Sequence, residues 1–141
     1  MNVALVLILA VGGLLLAEKM IGGFGSDATG KLAAAIAHAE GFGVTGTVPT
    51  RTNNPGDLEL GDLGKGTQGG KTIFATLTDG IAALRKQISI IANGQSEYYS
   101  LDMSISQMAQ LYTGGDNADA WAQIVATDLG VTPQTTLGEI L

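Results

Sequence analysis

Three stretches of this chain place apolar side chains at helical spacing. Leu32, Ile36 and Glu40 recur at i, i+4 and i+8, so a carboxylate shares the broad face of two large aliphatic residues. Ser26, Asp27 and Thr29 are candidate caps ahead of this helix, and Gly41 and Gly43 stop it. A second helix follows Asp79 as its cap, with Ile81, Leu84, Ile88 and Ile91 in its stripe and Asn93 and Gly94 at its end. A third opens at Asn117 or Asp119 and carries Trp121, Ile124, Val125 and Leu129 to Gly130, with Trp121 expected in the core. Ser104 with Gln107, and Thr136 with Glu139, have the spacing of capping boxes and predict two further short helices, the first running through Leu111.

The segment between the first two helices lacks this period. From Gly41 to Gly70 nine of thirty residues are glycine, with Pro49 and Pro55 among them, which predicts turns and a small irregular β region rather than helix. Lys71 to Leu77, KTIFATL, reads as a short strand. The sum is an α+β domain, mainly helical, with a small β-wing.

A different pattern opens the chain. Val3 to Ala17 is an uncharged run of Val, Leu, Ile, Ala and Gly closed by Glu18 and Lys19, and Met20 and Ile21 extend it. With Lys19 snorkelling, residues 3–21 approach the roughly 20 residues that span a bilayer, so a retained single-pass anchor in a lipid membrane is expected. The rival is a cleaved signal peptide; it lacks Lys or Arg before the run and has Leu15 where cleavage after Ala17 needs a small residue. Gly22, Gly23 and Gly25 read as a flexible joint. The division is thus an anchor and joint over 1–24 and one domain over 25–141.

Charge and composition then exclude partners. The net charge is −6, and from Ser26 onward six Lys and Arg face twelve Asp and Glu, so nucleic acid is not expected to bind. With no cysteine and one histidine, His38, neither a metal site nor a cofactor is expected, and His38 reads as a surface or boundary residue. GKGTQGGKT, Gly64 to Thr72, fails as a phosphate loop because Lys65 stands where the first glycine belongs and a strand-like run follows.

Glu40 is the sharpest candidate for chemistry. On an apolar face its carboxyl is desolvated and retains a proton, as a general acid toward a glycosidic oxygen must. Spacing alone favours the other reading, a helix-end glutamate turned to water. Asn53 and Asn54, in the turn TNNPGDL, carry donors and acceptors suited to sugar hydroxyls and N-acetyl groups, or they satisfy their own loop. Tyr112 either meets Glu40 or a sugar ring, or is an ordinary half-buried aromatic. Asp57, Glu59 and Asp62 lie in the wing as candidates for a second carboxylate, and Tyr98 and Tyr99 follow a helix break where a groove would need lining.

The blocks AEG, TNNPGDL, FATLTDGIAAL, SISQMAQLYTGGDNADAW and LGVTPQTTL occur in that order from about Leu32 to Leu137. In this order they resemble a group of phage-associated proteins related to lytic transglycosylases, within the lysozyme-like superfamily. The resemblance implies a lysozyme-like fold, Glu40 as the catalytic acid and then base, and Asn53, Asn54, Tyr112 and Asn117 as substrate-binding residues. Tyr112 is followed by Thr113 rather than by the asparagine usual in transglycosylases; the next asparagine is Asn117. The implied activity is cleavage of peptidoglycan glycan strands, by transglycosylation or, as second choice, hydrolysis. The implied setting is a phage virion, with virion proteins as possible partners and local opening of the cell wall during genome entry, or a bacterial envelope. The alternative is an inactive lysozyme-like structural or glycan-binding protein of the virion membrane.

Overall fold

The computed structural model describes residues 23–61 and 64–141. The apolar run at 3–21, proposed as an anchor, and Asp62 lie outside the described residues. Among the described residues no helix is long and apolar enough to cross a membrane.

Helix α1, Ala28–Ala39, is capped by Asp27, whose Oδ1 accepts from Gly30 N at 3.2 Å. Its Leu32, Ala33, Ala34, Ala35, Ile36 and Ala37 are all buried, so the helix is enclosed on most sides. Short alanine side chains allow the helices Leu77–Ala92 and Ala118–Leu129 to pack closely on it. The joint before it is not free. Phe24 is buried and meets Phe42 edge-on, Arg85 donates to the Phe24 carbonyl, and the same guanidinium binds both oxygens of Asp27 at 2.8 and 2.9 Å. The expectation of a flexible glycine joint is therefore corrected from Phe24 onward: a buried ring and a forked ion pair hold the chain there.

After Gly41, at φ +77°, comes the wing. The region expected to lack helix contains a single turn, α2, Val48–Arg51, because Pro49 sits in its first turn, where a missing N–H costs nothing. The hairpin pairs β1, Thr67–Gln68, with β2, Lys71–Thr72, antiparallel, Thr67 opposite Thr72 and Gln68 opposite Lys71. Gly69 and Gly70, both at positive φ, make the two-residue turn between them, so the phosphate-loop look-alike is a hairpin. The strand expected to run to Leu77 ends at Thr72. Phe74 N donates instead to Thr52 O, and Thr76 caps the next helix through Asp79 N at 3.1 Å. The cap is thus Thr76, three residues before the expected Asp79, which lies in the first turn.

Helix α3, Leu77–Ala92, buries Leu84, Ile88 and Ile91. Helix α4, Ile105–Thr113, and the terminal α6, Leu137–Ile140, both begin with complete capping boxes, from Ser104 with Gln107 and from Thr136 with Glu139. A bridge between Ser104 and Thr136 ties these two starts together. Between them lies α5, Ala118–Leu129, which packs on α1 and α4. Leu32, Ile36, Leu84, Ile88, Ile105, Met108, Val125 and Leu137 share the core. The fold is α+β and mainly helical, with one small two-stranded antiparallel sheet.

Candidate functional site

The end of α1, the wing and the α4–α5 connection meet around a cleft of about 320 Å³. Glu40 enters it from α1. Its backbone still obeys the helix, with N–H donating to Ile36 O at 2.9 Å, so the register that buries Leu32 and Ile36 also aims this carboxyl inward. The glutamate is half-buried, and Trp121 Nε1 donates to its Oε1 at 2.7 Å. Trp121 is only 4% exposed, as core packing predicts, yet its one polar atom is directed at Glu40.

Burial raises the Glu40 carboxyl above its ordinary range. The Trp121 bond acts against this, the charge of Asp57 adds to it, and the Lys71 ammonium opposes it; the net direction is upward. Glu40 is thereby suited to hold a proton in a cleft lined also by ionic groups.

The wing supplies Asp57 and Lys71. Lys71 Nζ lies 3.4 Å from Asp57 Oδ2 and 2.7 Å from Glu59 Oε1. Burial weakens the hold of Lys71 on its proton, but the two carboxylates outweigh it and the net shift is upward. Across the cleft stand Thr113, Asp116 and Asn117, with Ala120 and Ile124 on the first turns of α5. Asn117 occupies the cap position of α5 in left-handed backbone, φ +54°, and its exposed side chain makes no capping bond. Asn117 thus lines the cleft with a side chain that caps nothing.

Tyr112 lines the cleft but does not bond Glu40. Its hydroxyl donates to the Gly56 carbonyl, and its ring lies against Trp121 with centroids 5.1 Å apart. Burial foremost, then the charge of Glu40, lifts the phenol well above its usual range, so it remains a neutral donor. Gly56 makes this contact possible: a Cβ there would stand 2.7 Å from Leu84 Cδ1 and 3.1 Å from the Tyr112 hydroxyl. Tyr99 stacks behind Tyr112 at 6.4 Å, whereas Tyr98 is exposed.

Asn53 and Asn54 do not line the cleft. Asn54 is 0% exposed; its Nδ2 donates to Leu58 O and Thr72 O, and its Oδ1 accepts from Leu58 N, all at 2.9 Å. Asn53 donates to Phe74 O at 3.2 Å from a left-handed backbone. Of the two readings the turn allows, the structure shows amides that hold the wing to itself: Asn54 has no surface for a ligand, and Asn53, half-buried, stands outside the cleft lining. His38, exposed, pairs with Asp128 at 2.6 Å, away from the cleft lining. Among the described residues no cluster of three His, Asp or Glu side chains is arranged to hold a metal ion.

Two features of the site were missed by sequence reasoning. The Trp121 contact joins positions 81 residues apart, although a buried indole N–H always needs an acceptor, and that need was a usable signal. The Lys71 contact was hidden because Lys71 read as part of a strand. Comparison of the chain with protein-family models, with curated proteins and with solved structures finds no match.

Proposed function

We propose that this chain cleaves the glycan strands of peptidoglycan as a lysozyme-like enzyme, a lytic transglycosylase or a muramidase, with Glu40 as the acid. One observation carries the reading: a half-buried carboxyl, biased toward its protonated form, stands in an open cleft beside an ionised partner pair. A glycosidic oxygen is a poor leaving group until it is protonated. An acid whose burial favours its protonated form meets that need, and a nearby carboxylate favours the positive charge that develops at the sugar's anomeric carbon.

Trp121 fixes Oε1, leaving Oε2 as the oxygen to carry the transferable proton. Tyr112 positions the wing against α4 through Gly56, and Asn117, on the cleft lining, is the residue we assign to a polar sugar substituent. With residues 3–21 as a membrane anchor, the domain would be held beside the wall at high effective concentration, which suits a virion or envelope protein of net charge −6 that gains little from long-range attraction to an anionic polymer. The test is clearing of peptidoglycan in a gel by the full chain and by Glu40→Gln. The wild type clears and the variant does not; equal clearing by both would remove Glu40 from the chemistry.

A further inference from the structure

We propose that Lys71 is a positioning residue of this cleft and Glu59 its outer hold: the division of one ammonium between Glu59, outside the cleft, and Asp57, inside it, decides how much positive charge faces Glu40. The proposal rests on Glu40 being the acid of the cleft, as read above, and names what governs that acid.

The hairpin fixes where this ammonium starts. Lys71 opens β2 directly after the Gly69–Gly70 turn, and Thr72 beside it is 0% exposed. Three hydrogen bonds tie Thr72 to the wing segment that carries both carboxylates: its N–H donates to Leu58 O at 2.9 Å, its Oγ1 accepts from Leu60 N at 2.8 Å, and its carbonyl accepts from the Asn54 amide at 2.9 Å. Asp57 and Glu59 flank Leu58, so the backbone holds all three charged residues in register. Only the flexible four-carbon stem of Lys71 is left to divide its charge between them.

The division is unequal. Nζ lies 2.7 Å from Glu59 Oε1, the length of a full charge-assisted hydrogen bond, and 3.4 Å from Asp57 Oδ2, a looser contact. Glu59 is 65% exposed and does not line the cleft, whereas Lys71 and Asp57 do. The closer partner therefore draws the ammonium outward.

What faces Glu40 makes this division matter. The wing brings Asp57 and Lys71, α4 brings the neutral Tyr112, the α4–α5 connection brings Asp116, and α5 brings the Trp121 indole. Among the described residues that line the cleft, Lys71 alone is a cation. After burial and the Trp121 bond, the charges that act on Glu40 are those of Asp57, which favours its protonated form, and Lys71, which opposes it. His38, two residues before Glu40, pairs with Asp128 and does not line the cleft. In a half-buried cleft, charges act on one another through a medium less polar than water. An ammonium drawn toward Glu59 leaves Glu40 a firmer hold on its proton; one moved wholly onto Asp57 weakens that hold. Glu59 thus reaches the acid without entering the cleft.

Trp121 supplies a direct readout, because it is the single tryptophan and its Nε1 donates to Glu40 Oε1. The experiment follows Trp121 emission in the full chain against pH, with Glu40→Gln to identify the step that belongs to Glu40. Lys71→Met should move that step to higher pH, Lys71→Arg should keep it near the wild-type position, and Glu59→Gln should move it to lower pH. The double variant, Lys71→Met with Glu59→Gln, should match Lys71→Met alone, because Glu59 acts through the ammonium. A wing merely loosened by substitution would not give shifts of opposite sign from two bonded partners. The limb of the pH–rate profile on peptidoglycan that reports loss of the Glu40 proton should move in the same directions. A step that stays in place or falls in Lys71→Met would remove Lys71 from this role. A step unmoved or raised in Glu59→Gln, or two shifts that add in the double variant, would remove Glu59 as its hold. A step that persists in Glu40→Gln would overturn the indole contact and this inference with it. Emission steps that move as expected in a chain that cleaves no peptidoglycan would end the glycan-cleaving reading and leave the electrostatic link standing; cleavage whose pH limb ignores both substitutions would take Lys71 out of the reaction.

Discussion

Replacing Asn54 with alanine separates a wing built to hold itself from a wing built to hold sugar. The side chain has no exposed surface and makes three hydrogen bonds. Of its partners, Leu58 O keeps a second donor in Thr72 N at 2.9 Å, so truncation orphans two groups, Leu58 N and Thr72 O. An unsatisfied buried polar group costs about 1–3 kcal/mol, so orphaning two should cost Asn54→Ala about 2–6 kcal/mol, nearer 3 because Leu58 is only half-buried. For a domain of this size that lowers the unfolding midpoint by about 10 to 15 °C. The assay is urea unfolding followed by the emission of Trp121, the single tryptophan, whose burial makes it a sensitive probe. Asn53→Gly is the control. Asn53 contributes one 3.2 Å bond, and glycine relieves its backbone at φ +53°, so the net change should stay within about 1 kcal/mol. A loss below about 1 kcal/mol for Asn54→Ala, or an equal loss for both variants, would refute the claim that Asn54 is the internal lock of the wing.

Other outcomes follow from the same geometry. The folded-state proton affinity of Glu40 is raised above its ordinary value of 4.5, so the folded chain holds more protons than the unfolded chain just above that value. Its contribution to stability is therefore fully present below pH 4.5 and is lost as pH rises through the folded value; urea midpoints across this window should fall less steeply in Glu40→Gln than in the wild type. Trp121→Phe removes the bond that opposes the rise, so the limb of the pH–rate profile that reports loss of the Glu40 proton should move to higher pH; a move to lower pH would count against the indole contact. A Cβ on Gly80 would lie 1.8 Å from the Asn53 carbonyl, in backbone that cannot yield alone, so Gly80→Ala should cost about 3 kcal/mol or more by thermal unfolding.

What was legible in the sequence was local or periodic. The capping boxes at Ser104 and Thr136 need only residues three apart, and both form as read. The inward aim of Glu40 follows from its register with Leu32 and Ile36, because one helix carries all three. Errors arose where short-range preference competed with longer contacts. KTIFATL has strand-forming residues, yet β1 offers only a two-residue partner, and Thr76 begins a helix inside the run. The amides of Asn53 and Asn54 had the right chemistry for sugar, but their partners Phe74, Leu58 and Thr72 come into reach only when the wing closes. The same closure brings Lys71 to Asp57, and α5 brings Trp121 to Glu40, so the electrostatics of the cleft belong to the tertiary fold and not to any one segment.

The clamp of Arg85 on Asp27 and on the Phe24 carbonyl has a mechanical consequence. A pull applied ahead of residue 23 is delivered to the first turn of α1 and across to α3, where a forked ion pair and a buried ring resist it. Glu40 stands at the far end of the same helix, twelve residues away at 1.5 Å each, or about 18 Å. Any load entering at Phe24 would therefore reach α1 at the end opposite the cleft, and the length of α1 sets how far the cleft stands from that entry point.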